Sequence, residues 1–150
     1  MSQAAPHSPS APRPSFVLEI EPLAPAAAAA AFAARLAAAT DPSDVRADLE
    51  AGVEGIVVVD ARAAEAYARG HVPGALSLPH RRITDAASVA HLPRGALVVT
   101  YCDGIGCNAS TKAAWKLARL GYRVKEMLGG LDGWRRDGYP VEGAAPEDAP

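Results

Sequence analysis

The side chains of this chain best suited to covalent chemistry are its only two cysteines, Cys102 and Cys107, set five positions apart. They stand in the run Val98-Val99-Thr100-Tyr101-Cys102-Asp103-Gly104-Ile105-Gly106-Cys107-Asn108-Ala109-Ser110-Thr111. The apolar stretch from Ala96 to Tyr101 predicts a strand that delivers Cys102 to its carboxyl end. Gly104 and Gly106 let backbone N–H groups turn inward without a Cβ clash. A helix over residues 109–120, with Asn108 or Ser110 as its N-cap, would add unpaired N–H donors and about half a positive charge. The product is an anion cradle around one sulfur, in which a thiol titrates low and reacts as thiolate. The plainer alternative for Cys102 is a small buried hydrophobe at a strand end. Cys107 reads either as a resolving thiol, attacking an oxidised or persulfidated Cys102, or as a loop side chain that only packs. A zinc site lacks further ligands nearby in sequence.

The elements that would position this loop alternate along the chain. Pro25 opens an alanine-rich helix, with Phe32 and Leu36 four apart on one face. Phe16 to Ile20 reads as a short strand or an apolar lead-in. A second helix is expected over residues 43–51 and a buried strand over Ile56-Val57-Val58-Val59. A polar helix follows near residues 63–69, then a small strand at 75–78 and a weakly helical stretch at 83–91. After the helix at 109–120, Gly121 serves as a C′ residue; a strand at 124–127 and a helical turn at 131–136 complete the pattern. Strands alternating with helices predict an α/β fold with a mostly parallel central sheet flanked by helices, and ligands in such sheets bind beyond the carboxyl ends of the strands.

Composition sets the outer bounds. The 150 residues suit one domain, and alanine supplies much of the 49% apolar fraction. Fifteen basic against 17 acidic residues give a net charge of -2, which argues against nucleic-acid binding. No stretch has the length and apolarity of a membrane span, and the N-terminus has no signal-like pattern, so a cytoplasmic location is expected. Residues 1–15, with four prolines, read as a disordered arm; residues 16–42 as a helical extension; residues 143–150 as a loose tail. The sequence assigns no oligomeric state.

Three separated blocks give the chain a resemblance to the rhodanese-like (sulfurtransferase) family, over residues 43–142. Val59-Asp60-Ala61-Arg62 followed by Gly70-His71-Val72-Pro73-Gly74-Ala75 resembles the family's D-x-R … G-H-I-P-G-A signature. Tyr101-Cys102 with its loop and helix is the second block. Gly129-Gly130-Leu131-Asp132-Gly133-Trp134 … Gly138-Tyr139-Pro140-Val141 resembles its closing G-G-x-x-x-W … G-x-P-V. The resemblance implies a single rhodanese-like domain in which Cys102 takes a sulfane sulfur from a small-molecule or protein persulfide donor. The resulting persulfide passes it to a thiol or cyanide acceptor, with no metal or organic cofactor. The loop residues Asp103, Gly104, Ile105, Gly106, Cys107 and Asn108 would bind the sulfur through their N–H groups, as an oxyanion hole binds oxygen. Arg62, following a strand end on the same sheet edge, is the candidate charge near the sulfur.

The sequence departs from the family pattern in its loop. Aligned on Ser110-Thr111-Lys112-Ala113-Ala114, Ala109 takes the place of the arginine that helps the family bind thiosulfate, and the loop is longer. A persulfide donor is therefore expected over thiosulfate. Related phosphatases place an arginine where this chain has Asn108, and phosphoryl transfer needs that guanidinium. A second reading keeps the same pocket but makes it a non-catalytic or redox-sensing module using the Cys102–Cys107 pair. Asp60 and His71 are expected to organise backbone, Trp134 to fill the core, and His80, Arg81, Arg82 and His91 to face solvent.

Overall fold

The computed structural model describes residues 13–143. Most of the expected arm and all but the first residue of the expected tail therefore lie outside the described residues. Two units separate within the chain, one up to Ala33 and one from Ala34 onward.

In the first unit, Phe16, Val17, Leu18 and Ile20 are exposed and form bends and a turn, not a strand. The backbone folds back locally, with the Leu18 N–H on Ser15 Oγ at 3.2 Å. A strand requires a neighbour for its N–H and C=O groups, and apolar composition alone does not provide one. Helix α1 (Pro25–Ala38) begins in this unit, has no buried residue, and leaves Phe32 and Leu36 exposed.

The second unit is a five-stranded, wholly parallel sheet in the order β1-β5-β4-β2-β3. Its strands are β1 (Ala39–Thr40), β2 (Ile56–Asp60), β3 (Leu76–Ser77), β4 (Leu97–Tyr101) and β5 (Arg123–Met127). Helices α2 (Pro42–Glu50), α3 (Ala64–Arg69), α4 (Ala109–Arg119) and α5 (Gly130–Arg136) connect and cover them. Strands β2 and β4 are the long central pair, in register from Ile56 opposite Leu97 to Asp60 opposite Tyr101. Alternate side chains of both feed two cores, as a sheet covered on both faces requires. Val59 and Val98 pack with Ala113, Leu117 and Tyr122 on the α4 side. Val58, Val99 and Tyr101 pack with Val45, Leu131 and Trp134 on the α2 and α5 side.

Helix ends explain how the layers stay in place. Asp41 caps α2, its Oδ1 accepting the Asp44 N–H at 2.9 Å, and Pro42 opens the first turn. Helix α4 stops as expected at Gly121, with φ +87. The Gly121 N–H donates to Ala118 O and the Tyr122 N–H to Leu117 O, closing the turn and seating the buried Tyr122 ring. The stretch at 83–91 holds only a short 3-10 turn at Ala87–Val89. Ser88 there accepts the N–H groups of Thr84 and Asp85 and donates to Asp85 O, so local side-chain bonds replace the helical ladder.

Candidate active site

Strand β4 ends in a polar cluster that ties three segments together. The buried Asp60, at the end of β2, accepts the Tyr101 hydroxyl at 2.7 Å and the Arg62 Nη2 at 2.6 Å. Arg62 also donates from Nη2 to Gly70 O at 2.6 Å and from Nη1 to Asp103 Oδ1 at 3.0 Å. Tyr101 Oη in turn accepts the Val72 N–H at 3.0 Å. Burial and the neighbouring Asp60 carboxylate push the Tyr101 phenol far above its ordinary value, so it stays a neutral donor. Burial works against the Arg62 charge, but its bonds to Asp60 outweigh this and hold it protonated. His71 stacks on Tyr67 with centroids 3.7 Å apart and places Nδ1 2.8 Å from Tyr67 O. Trp134 is fully buried with its indole N–H on Pro140 O at 2.8 Å.

Cys102 follows directly and is only 3% exposed. Its thiol lies 3.0 Å from Cys107 O and 3.3 Å from Ser110 Oγ. Ser110 Oγ donates to Glu126 Oε1 at 2.8 Å, and Thr111 Oγ1 donates to the same oxygen at 2.9 Å. Behind the loop, Leu131 N–H donates to Cys102 O at 2.9 Å and Asp132 N–H to Asp103 O at 2.7 Å. These bonds require Gly130, which has φ +56 and whose place a Cβ could not fill without striking Cys102 O and Asp103. Helix α5 thus clamps the loop through backbone alone.

Two pockets flank the loop. The first, about 310 Å³, exposes Cys102 and Cys107 together with Ser110, Glu126 and Gly130. Gly104, Ile105 and, from the second unit's part of α1, Arg35 complete its rim. The second, about 380 Å³, contains Arg62, Asp103, His80, Arg81 and Cys107. The structure therefore divides the residues expected around the sulfur. Gly104, Ile105 and Cys107 share a pocket with Cys102, whereas Arg62 and Asp103 face the other. Gly106 and Asn108 belong to the loop but line neither pocket. The Arg62 guanidinium is engaged by Asp60, Asp103 and Gly70 O and lines the second pocket. Asn108 is the N-cap of α4, yet its side chain makes no capping bond.

The protonation of the two thiols corrects one expectation. Burial pushes the Cys102 thiol up, and its hydrogen bond with Cys107 adds to this; bonds from Ser110 only partly offset them. Cys107 goes the other way. Burial raises it, but the bond with Cys102 and the N–H groups of Ala109 and Asp103 bring it below the ordinary thiol value. The Cys107 N–H, expected in the cradle, is spent on Gly104 O at 3.1 Å. The Cys102–Ser110–Glu126 chain was not anticipated. Its one sequence signal is an acid near the carboxyl end of a strand, where sheets of this kind place their sites.

A parallel sheet with a thiol at its carboxyl edge, set in a glycine loop before a helix, defines a thiol-centred α/β domain. The family model for the rhodanese-like domain matches residues 41–137, and the chain belongs to that family. A thiosulfate sulfurtransferase GlpE of Pseudomonas putida (strain GB-1) is 40% identical over 92 residues, 61% of this chain and 79% of that one. An HTH-type transcriptional regulator, Rv0324 of Mycobacterium tuberculosis, is 34% identical over 91 residues, 61% of this chain but only 39% of the regulator. Among solved structures, the BH2092 protein of Bacillus halodurans superposes with a TM-score of 0.77 at 42% identity, covering 80% of this chain and 87% of that one. Among the described residues no helix is long and apolar enough to cross a membrane.

Proposed function

We propose that the protein is a sulfurtransferase that moves a sulfane sulfur from a donor to a thiophilic acceptor through a persulfide on Cys102. The observation that carries this reading is the placement of Cys102 at the end of β4, nearly buried, with its thiol in the wall of a pocket. The names of relatives such as the Pseudomonas putida enzyme and a sulfurtransferase of Allochromatium vinosum, 35% identical over 98 residues, support it.

The Cys102 thiolate attacks the sulfane sulfur of the donor, the new S–S bond forms, and the donor's remaining group leaves with the electron pair. An acceptor thiolate or cyanide then attacks the outer sulfur and releases Cys102. In the resting state the Cys102 thiol lies 3.0 Å from Cys107 O and 3.3 Å from Ser110 Oγ, and Ser110 is held in place by Glu126. Ala109 brings no guanidinium to the loop, so a persulfide donor suits the site better than thiosulfate.

Mass spectrometry after donor treatment tests the reading. One added sulfur atom is expected on Cys102, labile to cyanide and absent from Cys102→Ser. A free Cys102 thiol that gains no sulfur from any donor overturns it.

A second reading rests on the two cysteines lining one pocket, with Cys107 O 3.0 Å from the Cys102 thiol. The same domain would serve as a redox sensor that forms a Cys102–Cys107 disulfide. The occurrence of a similar segment within a protein named as a transcriptional regulator fits such a role. Here peroxide yields the disulfide, and sulfur transfer stays at background with every donor.

A further inference from the structure

Cys107 stands in the walls of both pockets, whereas Cys102 lines only the first. The second pocket opens between the ends of β2 and β4. There the chain order diverges: β3 lies outside β2 on one side, and β5 lies outside β4 on the other. Such a divergence leaves a crevice in which open parallel sheets receive ligands. The reactive sulfur of the proposed reaction is thus in one pocket and the crevice favoured by the topology is the other. Cys107 is the sulfur common to both. Its carbonyl oxygen lies 3.0 Å from the Cys102 thiol, both side chains line the first pocket, and the nearby backbone of Ala109 and Asp103 favours the Cys107 thiolate.

We propose that Cys107 relays the sulfane sulfur across the loop, taking it from Cys102 in the first pocket and handing it to a small carboxylate-bearing thiol bound in the second. This rests on the Cys102 persulfide. In the relay step the Cys107 thiolate attacks the outer sulfur of Cys102–S–SH. An S–S bond forms on Cys107, the bond to Cys102 breaks, and Cys102 leaves as thiolate. The outer sulfur keeps its proton, and no electrons are gained or lost overall. Attack on the inner sulfur would instead give a disulfide and expel hydrosulfide. That inner sulfur is Cys102 Sγ, enclosed by the loop with Cys107 O 3.0 Å and Ser110 Oγ 3.3 Å away, while the outer one extends into the pocket that Cys107 lines. An acceptor thiolate in the second pocket then attacks the outer sulfur on Cys107, which departs as thiolate. Arg81, exposed at the second pocket, supplies a cation for the acceptor's carboxylate.

The test loads the full chain with substoichiometric inorganic polysulfide, traps it by alkylation, and locates the sulfur by tandem mass spectrometry. Sulfur is expected on both cysteines of the wild type, on Cys102 alone in Cys107→Ala, and on Cys107 of Cys102→Ser at least about tenfold more slowly than in the wild type. With 3-mercaptopropionate as acceptor, Cys107→Ala should lose at least about tenfold more rate than it loses with cyanide, which is small enough to reach Cys102 directly. Ala63→Phe, which narrows the second pocket, should slow 3-mercaptopropionate and let sulfur accumulate on Cys107. A wild type that loads Cys102 but never Cys107 overturns the relay and leaves the persulfide reading standing. So does release of hydrosulfide with disulfide formation, or equal acceptor losses in Cys107→Ala. Failure of Cys102 itself to load removes both.

Discussion

Cys102 and Cys107 are the same side chain held in opposite electrostatic settings within one loop. One is buried against a carbonyl and a hydroxyl; the other is only partly buried, and nearby backbone favours its thiolate. Alkylation by iodoacetamide should therefore modify Cys107 first as pH rises, with Cys102 following at higher pH, as read by peptide mapping. Because the Cys107 bond raises the Cys102 thiol, Cys107→Ala should move the Cys102 alkylation profile to lower pH. His80 gives a prediction of opposite chemistry. Burial, with Lys116, Lys112 and Arg81 nearby, holds its imidazole below the ordinary histidine value, and its Nδ1 is buried without a partner. The folded state then binds fewer protons than the unfolded one, so stability present above the unfolded histidine value is lost as pH falls through it. His80→Phe should flatten the fall in melting temperature between about pH 7 and pH 5. Asp60 carries a larger consequence, since Arg62 and Tyr101 are both buried against it. Asp60→Ala should cost about 3 kcal/mol in denaturant unfolding, the range for leaving a buried charge unpaired.

At the scale of elements, α5 controls the loop through peptide groups. Gly130→Ala adds a methyl where Cys102 O and Asp103 stand, and it also enforces a left-handed backbone on alanine. The φ penalty alone is about 1–2 kcal/mol. Since the carbonyl clash adds to it, unfolding should show a loss above that value, and sulfur loading of Cys102 should fall with it. Much of this arrangement was legible beforehand. The β-branched run Ile56–Val59 and the apolar run Leu97–Val99 mark strands buried on both faces, and Gly121 marks the end of α4. Strand β1 was not legible, because alanine favours helix and Ala39 continues the alanine run of α1; pairing with β5 imposes the strand. The site divided in the same way. Cys102 and its loop could be read from local order, since strand, glycines and helix are contiguous in sequence. The partners of Arg62 could not, because Asp103 meets its guanidinium across 41 positions and Gly70 O across eight. Glu126 reaches Ser110 only through the pairing of β4 with β5.

For the whole molecule, the first described unit makes a separable contribution. A chain beginning at Ala34 should retain its melting temperature to within a few degrees and still load Cys102, because the two cores draw on no residue before Val45. Both outer strands of the sheet are only two residues long. Short borders matter for a protein rich in alanine and valine. An unpaired strand edge is a template on which another chain can add, and length is what makes such addition cooperative. Strand β1 covers only Glu126 and Met127 of the five-residue β5, and the uncovered stretch carries Arg123 and Lys125. Those charges repel a second copy approaching in register. The sheet therefore ends on both sides in ways that discourage fibril growth, and substituting Arg123 and Lys125 by threonine should shorten the lag before aggregation on mild heating.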